Sequence, residues 1–359
     1  MSTALPKIAV LALGGTIASR KGPDGKASPK LSAQELISNL PELAEVASVT
    51  AVSVAKLPSF EIAVHDIVSL AKQLAGMAGE MDGLVVTQGT DTLEESAFAL
   101  DILWTPSTPI VVTGAMRHLD APGSDGPSNL LAAARVAASP SARGLGCVVV
   151  MNDEIHMARF VQKAHTFSPS AFSSRVTGPI GWIVEGRVRI AARPAIRNVL
   201  ALDAVGNAEA ARVALVTTSM GDDGGLLDGI EQAGYAGLVV EGMGGGHVRQ
   251  DFRKRAVKLA KTMPVVLASR TGAGEVLRET YGGFPGSEID LLEHGFIWAG
   301  ALDGLKAHLL LTLLLCGGAE LNVVRDVFAV FGALSPDPGL RPLREQLIAR
   351  GLLRDPIYA

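Results

Sequence analysis

What most constrains this chain is an alternation. Short, β-branched apolar runs recur along its first half, and helical patterns fill the intervals. Residues 7–13, 50–57, 83–87, 109–114 and 146–152 read as strands; 32–40, 65–79, 92–104 and 128–138 read as helices. A strand that is apolar along its whole length is buried on both faces. Such strands, separated by helices, predict an α/β fold with an open, mainly parallel sheet of the flavodoxin or Rossmann type. Ser32 with Glu35 and Thr92 with Glu95 have capping-box spacing and mark two helix starts.

The pattern changes after Asn152. Residues 182–190 read as a hairpin turning at Glu185-Gly186, and 193–211 as a polar, Ala-rich linker. A second alternating set follows: strands at 212–218, 237–241 and 265–269, and helices at 226–233, 248–262, 303–316 and 320–330. The expected organisation is a large N-terminal α/β domain (1–192), the linker, a smaller C-terminal α/β domain (212–335) and a tail (336–359). No internal repeat is present.

Composition narrows the function classes. Hydrophobic residues are 48% of the 359 and charged residues 19%, enough for a packed core and against disorder. The net charge is −4 and no basic block stands out, which gives no footing for nucleic acid or an anionic membrane. Cys147 and Cys316 lie far apart in apolar runs and read as buried, reduced thiols. The apolar stretch 307–319 is shorter than the ~18–20 residues a bilayer requires. The chain enters its first strand with no leader pattern ahead of it, so the cytoplasm is the expected compartment.

In open parallel sheets ligands bind beyond the carboxyl ends of the strands, so chemistry is sought in the turns that follow them. The first turn, Gly14-Gly15-Thr16, is either a plain tight turn or a place where the backbone admits a ligand beside Thr16. The third carries Thr87, Gln88, Gly89, Thr90, Asp91 and Thr92 at a helix start, where free N–H groups favour a carboxylate or an oxyanion. A threonine hydroxyl there becomes a nucleophile only with a base. Lys163 is the candidate, since a lysine acts as a base when burial or a neighbouring cation lowers its pKa. The fourth turn is long and polar, with Asp125-Gly126-Pro127 leading into a helix, and reads as a wall of the site. The run Gly242 to His247 does not complete a dinucleotide fingerprint. No metal-ligand spacing occurs, so no metal site is expected, and no Gly-x-Ser-x-Gly elbow is present.

Together these residues resemble the L-asparaginase family of threonine amidohydrolases. Gly14-Gly-Thr-Ile-Ala18 resembles its first motif and Gly89-Thr-Asp-Thr-Leu-Glu-Glu-Ser96 its second. Gly114-Ala-Met-Arg117, Asp125-Gly-Pro127 with Asn129, and Val150-Met-Asn-Asp153 follow in the family's order. The similarity runs from about Lys7 to Val330. It implies hydrolysis of the side-chain amide of L-asparagine, with some action on L-glutamine and no cofactor. It makes Thr16 the first nucleophile. It joins Thr90, Asp91 and Lys163 in a second constellation, in which Asp91 also holds the substrate ammonium. Ser59 matches the serine that binds the α-carboxylate, and Phe60 and Gly89 line the same place. Phe60 stands where many members have glutamine and is expected to narrow and dry the pocket. The loop near Lys26 to Lys30 lacks the family's tyrosine. The resemblance further implies a homotetramer of two close dimers, each site completed by a neighbour's acidic residue, here Glu275 with Glu279 as the alternative. A different amide substrate, or an amino-acid-binding homologue without turnover, stays open beside asparagine hydrolysis.

Overall fold

The computed structural model describes residues 4–195, 197–206 and 209–357. They form two compact units: 4–199 together with 355–357, and Leu200–Arg354.

The sheet of the first unit has eight strands: β1 (Lys7–Gly14), β2 (Ser48–Leu57), β3 (Gly83–Thr87), β4 (Ile110–Thr113), β5 (Cys147–Met151), β6 (Glu154–Met157), β7 (Gly181–Val184) and β8 (Arg187–Ile190). Their order is β8-β7-β6-β5-β4-β3-β1-β2. The five strands from β2 to β5 in that row are parallel, and β6, β7 and β8 add on antiparallel. The parallel part has the flavodoxin-like order 2-1-3-4-5, whose switch point lies between β1 and β3. The chain leaves β1 toward one edge and returns on its other side, so a crevice opens there at the carboxyl ends.

The central strands β1, β3, β4 and β5 are buried along nearly their whole length, as their continuous apolar runs required, whereas the edge strand β2 has no buried residue; Ile8 to Leu11, Leu84 to Val86 and Val148 to Val150 are inaccessible to solvent. Helix α1 (Ala33–Ser38) begins with the expected capping box at Ser32 and Glu35. The helices α2 (Val64–Met77), α3 (Leu93–Ile102) and α4 (Gly126–Ala138) follow. Both α1 and α4 share one core cluster with Ile8, Val10, Val85, Val111 and Val148, so they lie on one face. The β1-to-β2 and β4-to-β5 connections move in opposite directions across the sheet, so packing on one face gives them opposite hands. That departs from the usual uniform hand of parallel crossovers, and the long segment between β4 and α4 makes room for it.

Two expectations need correction. Thr92 does not cap α3 with its side chain; its hydroxyl donates instead to Ser59 O at 2.8 Å. Residues 226–233 are not a helix but a short 3-10 turn, Gly225–Leu227, followed by turns. Gly229 and Gly234 adopt φ of 101° and 81°, which a helix does not accommodate. The stretch 193–211, read as a linker, carries an anchoring residue. Arg197 is buried, and donates to the Asp101 carboxylate, Asp101 O and Trp104 O. Ile196, Asn207 and Ala208 of that stretch, with Tyr358 and Ala359 of the tail, lie outside the described residues.

The hairpin is as expected: β7 and β8 pair through Glu185 and Gly186, both at positive φ. In the second unit β9 (Val213–Thr217), β10 (Gly237–Gly242), β11 (Val265–Ser269) and β12 (Ile297–Trp298) form a parallel sheet. The tail contributes a helix, Arg341–Ala349, packed on Leu321–Gly332. Ile357 N–H then donates to Thr105 O in the first unit at 2.8 Å.

Candidate active site

The site begins with glycines. At the end of β1, Gly14 and Gly15 take φ of 113° and 82° and swing the chain into the turn Thr16–Ala18. A Cβ on Gly15 would lie 2.0 Å from Gly89 N, and one on Gly89 would lie 2.6 Å from Ser59 Oγ. The turns after β1, β3 and β2 therefore abut, in that order, at the switch point. Only glycine permits this approach, which explains the Gly-Gly-Thr and Gly-Thr-Asp sequences.

Ser59 is buried at the end of β2. Its hydroxyl accepts from Asp91 N–H at 3.1 Å, and its carbonyl takes the Thr92 hydroxyl. This leaves the Ser59 O–H as a donor toward an anion. Phe60, next to it, is 68% exposed. The expectation that it dries the pocket is not met within this chain; its turn directs the ring to the surface.

Thr90 is buried, with its methyl against Gly114. Lys163 Nζ donates to Thr90 Oγ1 at 2.9 Å and to Asp91 Oδ1 at 2.6 Å. The lysine side chain is largely buried, while the Asp91 carboxylate faces solvent. Lys163 ends the short strand Val161–Lys163, paired antiparallel with Phe172–Ser174. Its backbone N–H donates to Glu94 Oε2 at 2.9 Å. Ser174, on the partner strand, has its hydroxyl 3.0 Å from Nδ1 of the buried His156. Burial pushes the pKa of His156 down to about 4; the Glu154 carboxylate lies 3.3 Å from its Nε2.

Thr16 is partly buried, and among the described residues its hydroxyl has no hydrogen-bond partner. The loop beyond it is a small hairpin, Ser19–Lys21 with Ala27–Pro29. It is pinned by Lys21 N–H to Asp120 Oδ2 (2.9 Å) and Lys30 N–H to Ala18 O (2.9 Å). The wall behind is organised by Asn129, which donates to Gly114 O and the Asp125 carboxylate and accepts from Asn152 N–H. Asp125 also accepts from the N–H groups of Met116 and Arg117. The polar loop is thus a braced structure rather than a loose one.

The sequence-derived residues Thr16, Ser59, Gly89, Thr90, Asp91 and Lys163 all belong to this crevice or its floor. Glu275 is an exposed residue of the second unit, accepting from Leu334 N–H at 3.1 Å. Glu279 is exposed too. Among the described residues of that unit the fully buried carboxylate is Glu288, which accepts from Tyr281 N–H (2.6 Å) and stands 2.8 Å from His247 Nε2. The run 242–247 is a tight turn closed by Met243 N–H to His247 O, with Ser269 Oγ donating to Gly244 O. Sequence reading missed Glu94 and His156. Glu94 was hidden by its neighbour, because capping-box spacing pointed to Glu95.

A hydroxyl, a lysine and a carboxylate in a row, beside a second threonine at a helix-start crevice, form an apparatus for acyl transfer. Residues 7–196 match the family model described as asparaginase, N-terminal, and 212–328 match the glutaminase/asparaginase C-terminal domain. The chain belongs to the asparaginase family. It is 38% identical to the probable L-asparaginase of Deinococcus radiodurans, over 91% of this chain and 98% of that protein. It is 32% identical to the probable L-asparaginase periplasmic of Haemophilus influenzae, over 91% and 93%. It is 31% identical to L-asparaginase 2 of Escherichia coli, over 90% and 93%. Among the described residues no helix is long and apolar enough to cross a membrane. Cys147 and Cys316 are free and buried; burial, then the Asp101 carboxylate, raise the Cys147 thiol well above its usual range.

Proposed function

We propose that this chain hydrolyses the side-chain amide of L-asparagine to L-aspartate and ammonia, with weak action on L-glutamine. The observation that carries the reading is the Lys163–Thr90 hydrogen bond of 2.9 Å, made by residues 73 apart in the chain. Thr16 attacks the amide carbon, ammonia leaves, and water hydrolyses the resulting ester to restore the hydroxyl. Lys163 polarises Thr90, which relays protons to and from the reacting atoms. Asp91 and Ser59 hold the substrate's ammonium and α-carboxylate, their exposed carboxylate and remaining O–H being suited to those charges. Gly89 keeps the floor low enough for the substrate to approach the main chain.

Ammonia release, screened over asparagine, glutamine and related amides, tests this. Asparagine as the best substrate supports it. Release from another amide alone would move the substrate class, and tight asparagine binding without ammonia would make the chain a binding homologue.

The active species in this reading is a cytoplasmic homotetramer of two close dimers, with Glu275 reaching a neighbour's substrate ammonium. Two buried, unpaired cysteines suit a reducing compartment, and closed symmetric assemblies are the usual form of such enzymes. Light scattering during dilution checks the assembly. A fully active monomer would end the role given to Glu275, and recovery of the protein outside the cytoplasm in cell fractionation would end that assignment.

A further inference from the structure

Lys163 reaches Thr90 from a short ribbon far along the chain, and something must fix where its backbone sits. The ribbon alone does not hold the Lys163 N–H: Ala164 N–H donates across to Ala171 O, whereas Lys163 N–H turns away to the Glu94 carboxylate at 2.9 Å. Glu94 lies in the first turn of α3, directly after Thr90, Asp91 and Thr92. It is 7% exposed. A carboxylate so placed is favoured by the helix N-terminus, and a buried carboxylate needs donors. The opposite end of the same helix is also tied to the sheet, since Asp101 accepts from Cys147 N–H at 3.0 Å and from Arg197. The helix that starts at the Thr90 turn is therefore a fixed ruler, and Glu94 is the mark on it that sets Lys163.

We propose that Glu94 is a positioning residue for the reaction: its carboxylate holds the Lys163 main chain so that Nζ meets Thr90 Oγ1 and Asp91 Oδ1 together. The proposal rests on the amidohydrolase reading of the site, and it makes a claim that survives without that reading, namely the Lys163 N–H bond. It assigns Glu94 no contact with substrate.

The test uses the full chain with Glu94→Ala, Glu94→Gln and Glu94→Asp. Displacing a reacting group by about 1 Å costs up to ~100-fold in rate. For Glu94→Ala, kcat falls by about 10- to 100-fold, KM for asparagine stays near wild type, and the acid limb of the kcat pH profile moves. Glu94→Gln, which keeps an acceptor oxygen, restores most of the loss. Glu94→Asp keeps the charge but draws the acceptor back by one methylene, and it loses kcat; it carries the test if the alanine variant does not fold. Selective 15N-lysine labelling gives a readout independent of turnover. The Lys163 amide signal, assigned with Lys163→Arg, shifts and loses exchange protection in Glu94→Ala or Glu94→Asp. An unmoved Lys163 amide, or wild-type kcat in a folded Glu94→Ala or Glu94→Asp, overturns the proposal. If wild-type protein releases no ammonia from any amide, the functional reading fails while the amide signal still decides the positioning claim.

Discussion

Thr16 and Thr90 sit on abutting turns but are equipped differently. Thr90 is buried, receives a lysine, and stands beside a carboxylate that shares that lysine. Thr16 is partly open, and its hydroxyl has no partner among the described residues. The contrast teaches that the Thr90 hydroxyl is held by a fixed network, while the Thr16 hydroxyl is uncommitted, which fits the division of roles proposed above. A hydroxyl that must attack profits from being unencumbered, and one that relays protons profits from being held.

The largest expected effects test that division. Thr90→Val, which keeps shape and removes the hydroxyl, loses ~10²–10⁴ in kcat, the usual contribution of positioned acid–base groups. Full activity of a folded Thr90→Val in an ammonia assay would end the relay role. Denaturing mass spectrometry of acid-quenched turnover sharpens the comparison, because the acyl mass is expected on the peptide containing Thr16. The same mass on the Thr90 peptide would exchange the two roles.

Next is the join between the turns. Gly15→Ala places a methyl 2.0 Å from Gly89 N at a φ of 82°. It is expected to cost about 3 kcal/mol, the upper part of the usual range for overpacking a packed site. Urea unfolding measures this, and an unchanged midpoint would mean the two turns are not locked.

The third effect is acid sensitivity on the Thr90 side. Folded His156 stays neutral down to about pH 4, whereas an unfolded chain takes that proton near the usual 6.5. The unfolded state thus binds more protons, and stability falls as pH drops from about 6.5 to about 4 and then levels. The gap corresponds to at most about 3 kcal/mol. His156→Gln is expected to flatten that window between pH 7.5 and 4.5 in urea melts. A slope equal to wild type would assign the acid sensitivity elsewhere.

The smallest effect concerns Phe60. Its exposure predicts that Phe60→Gln changes stability by no more than about 0.5 kcal/mol. Asparagine is expected to be preferred over glutamine in the wild type, an added methylene being worth ~1–3 kcal/mol in a fitted pocket. Equal kcat/KM values for the two amides would remove that preference. An unchanged ratio in Phe60→Gln would place its origin away from Phe60.

Much of this was legible in the sequence where periodicity and turn chemistry agree. Four of the five parallel strands announce themselves because burial on both faces demands unbroken apolar runs, and Gly-Gly-Thr and Gly-Thr-Asp mark turns that only glycine can make. The pairing of Lys163 with Thr90 came from resemblance, because no local pattern says where a lysine on a three-residue ribbon will point. Glu94 and His156 were invisible for a related reason. Each acts through a partner distant in sequence, Lys163 and Ser174. The false helix at 226–233 had apolar spacing but also Gly229, whose backbone conformation settled the matter.

The contact of Gly15 with Gly89 sets a limit on how this scaffold can diversify. With no room for even one carbon between the two turns, the spacing of those turns is not an adjustable dimension. Redesign for a longer or bulkier amide has to work on the rim, at the Ser19–Lys21 hairpin and Phe60, while the inner geometry is inherited unchanged.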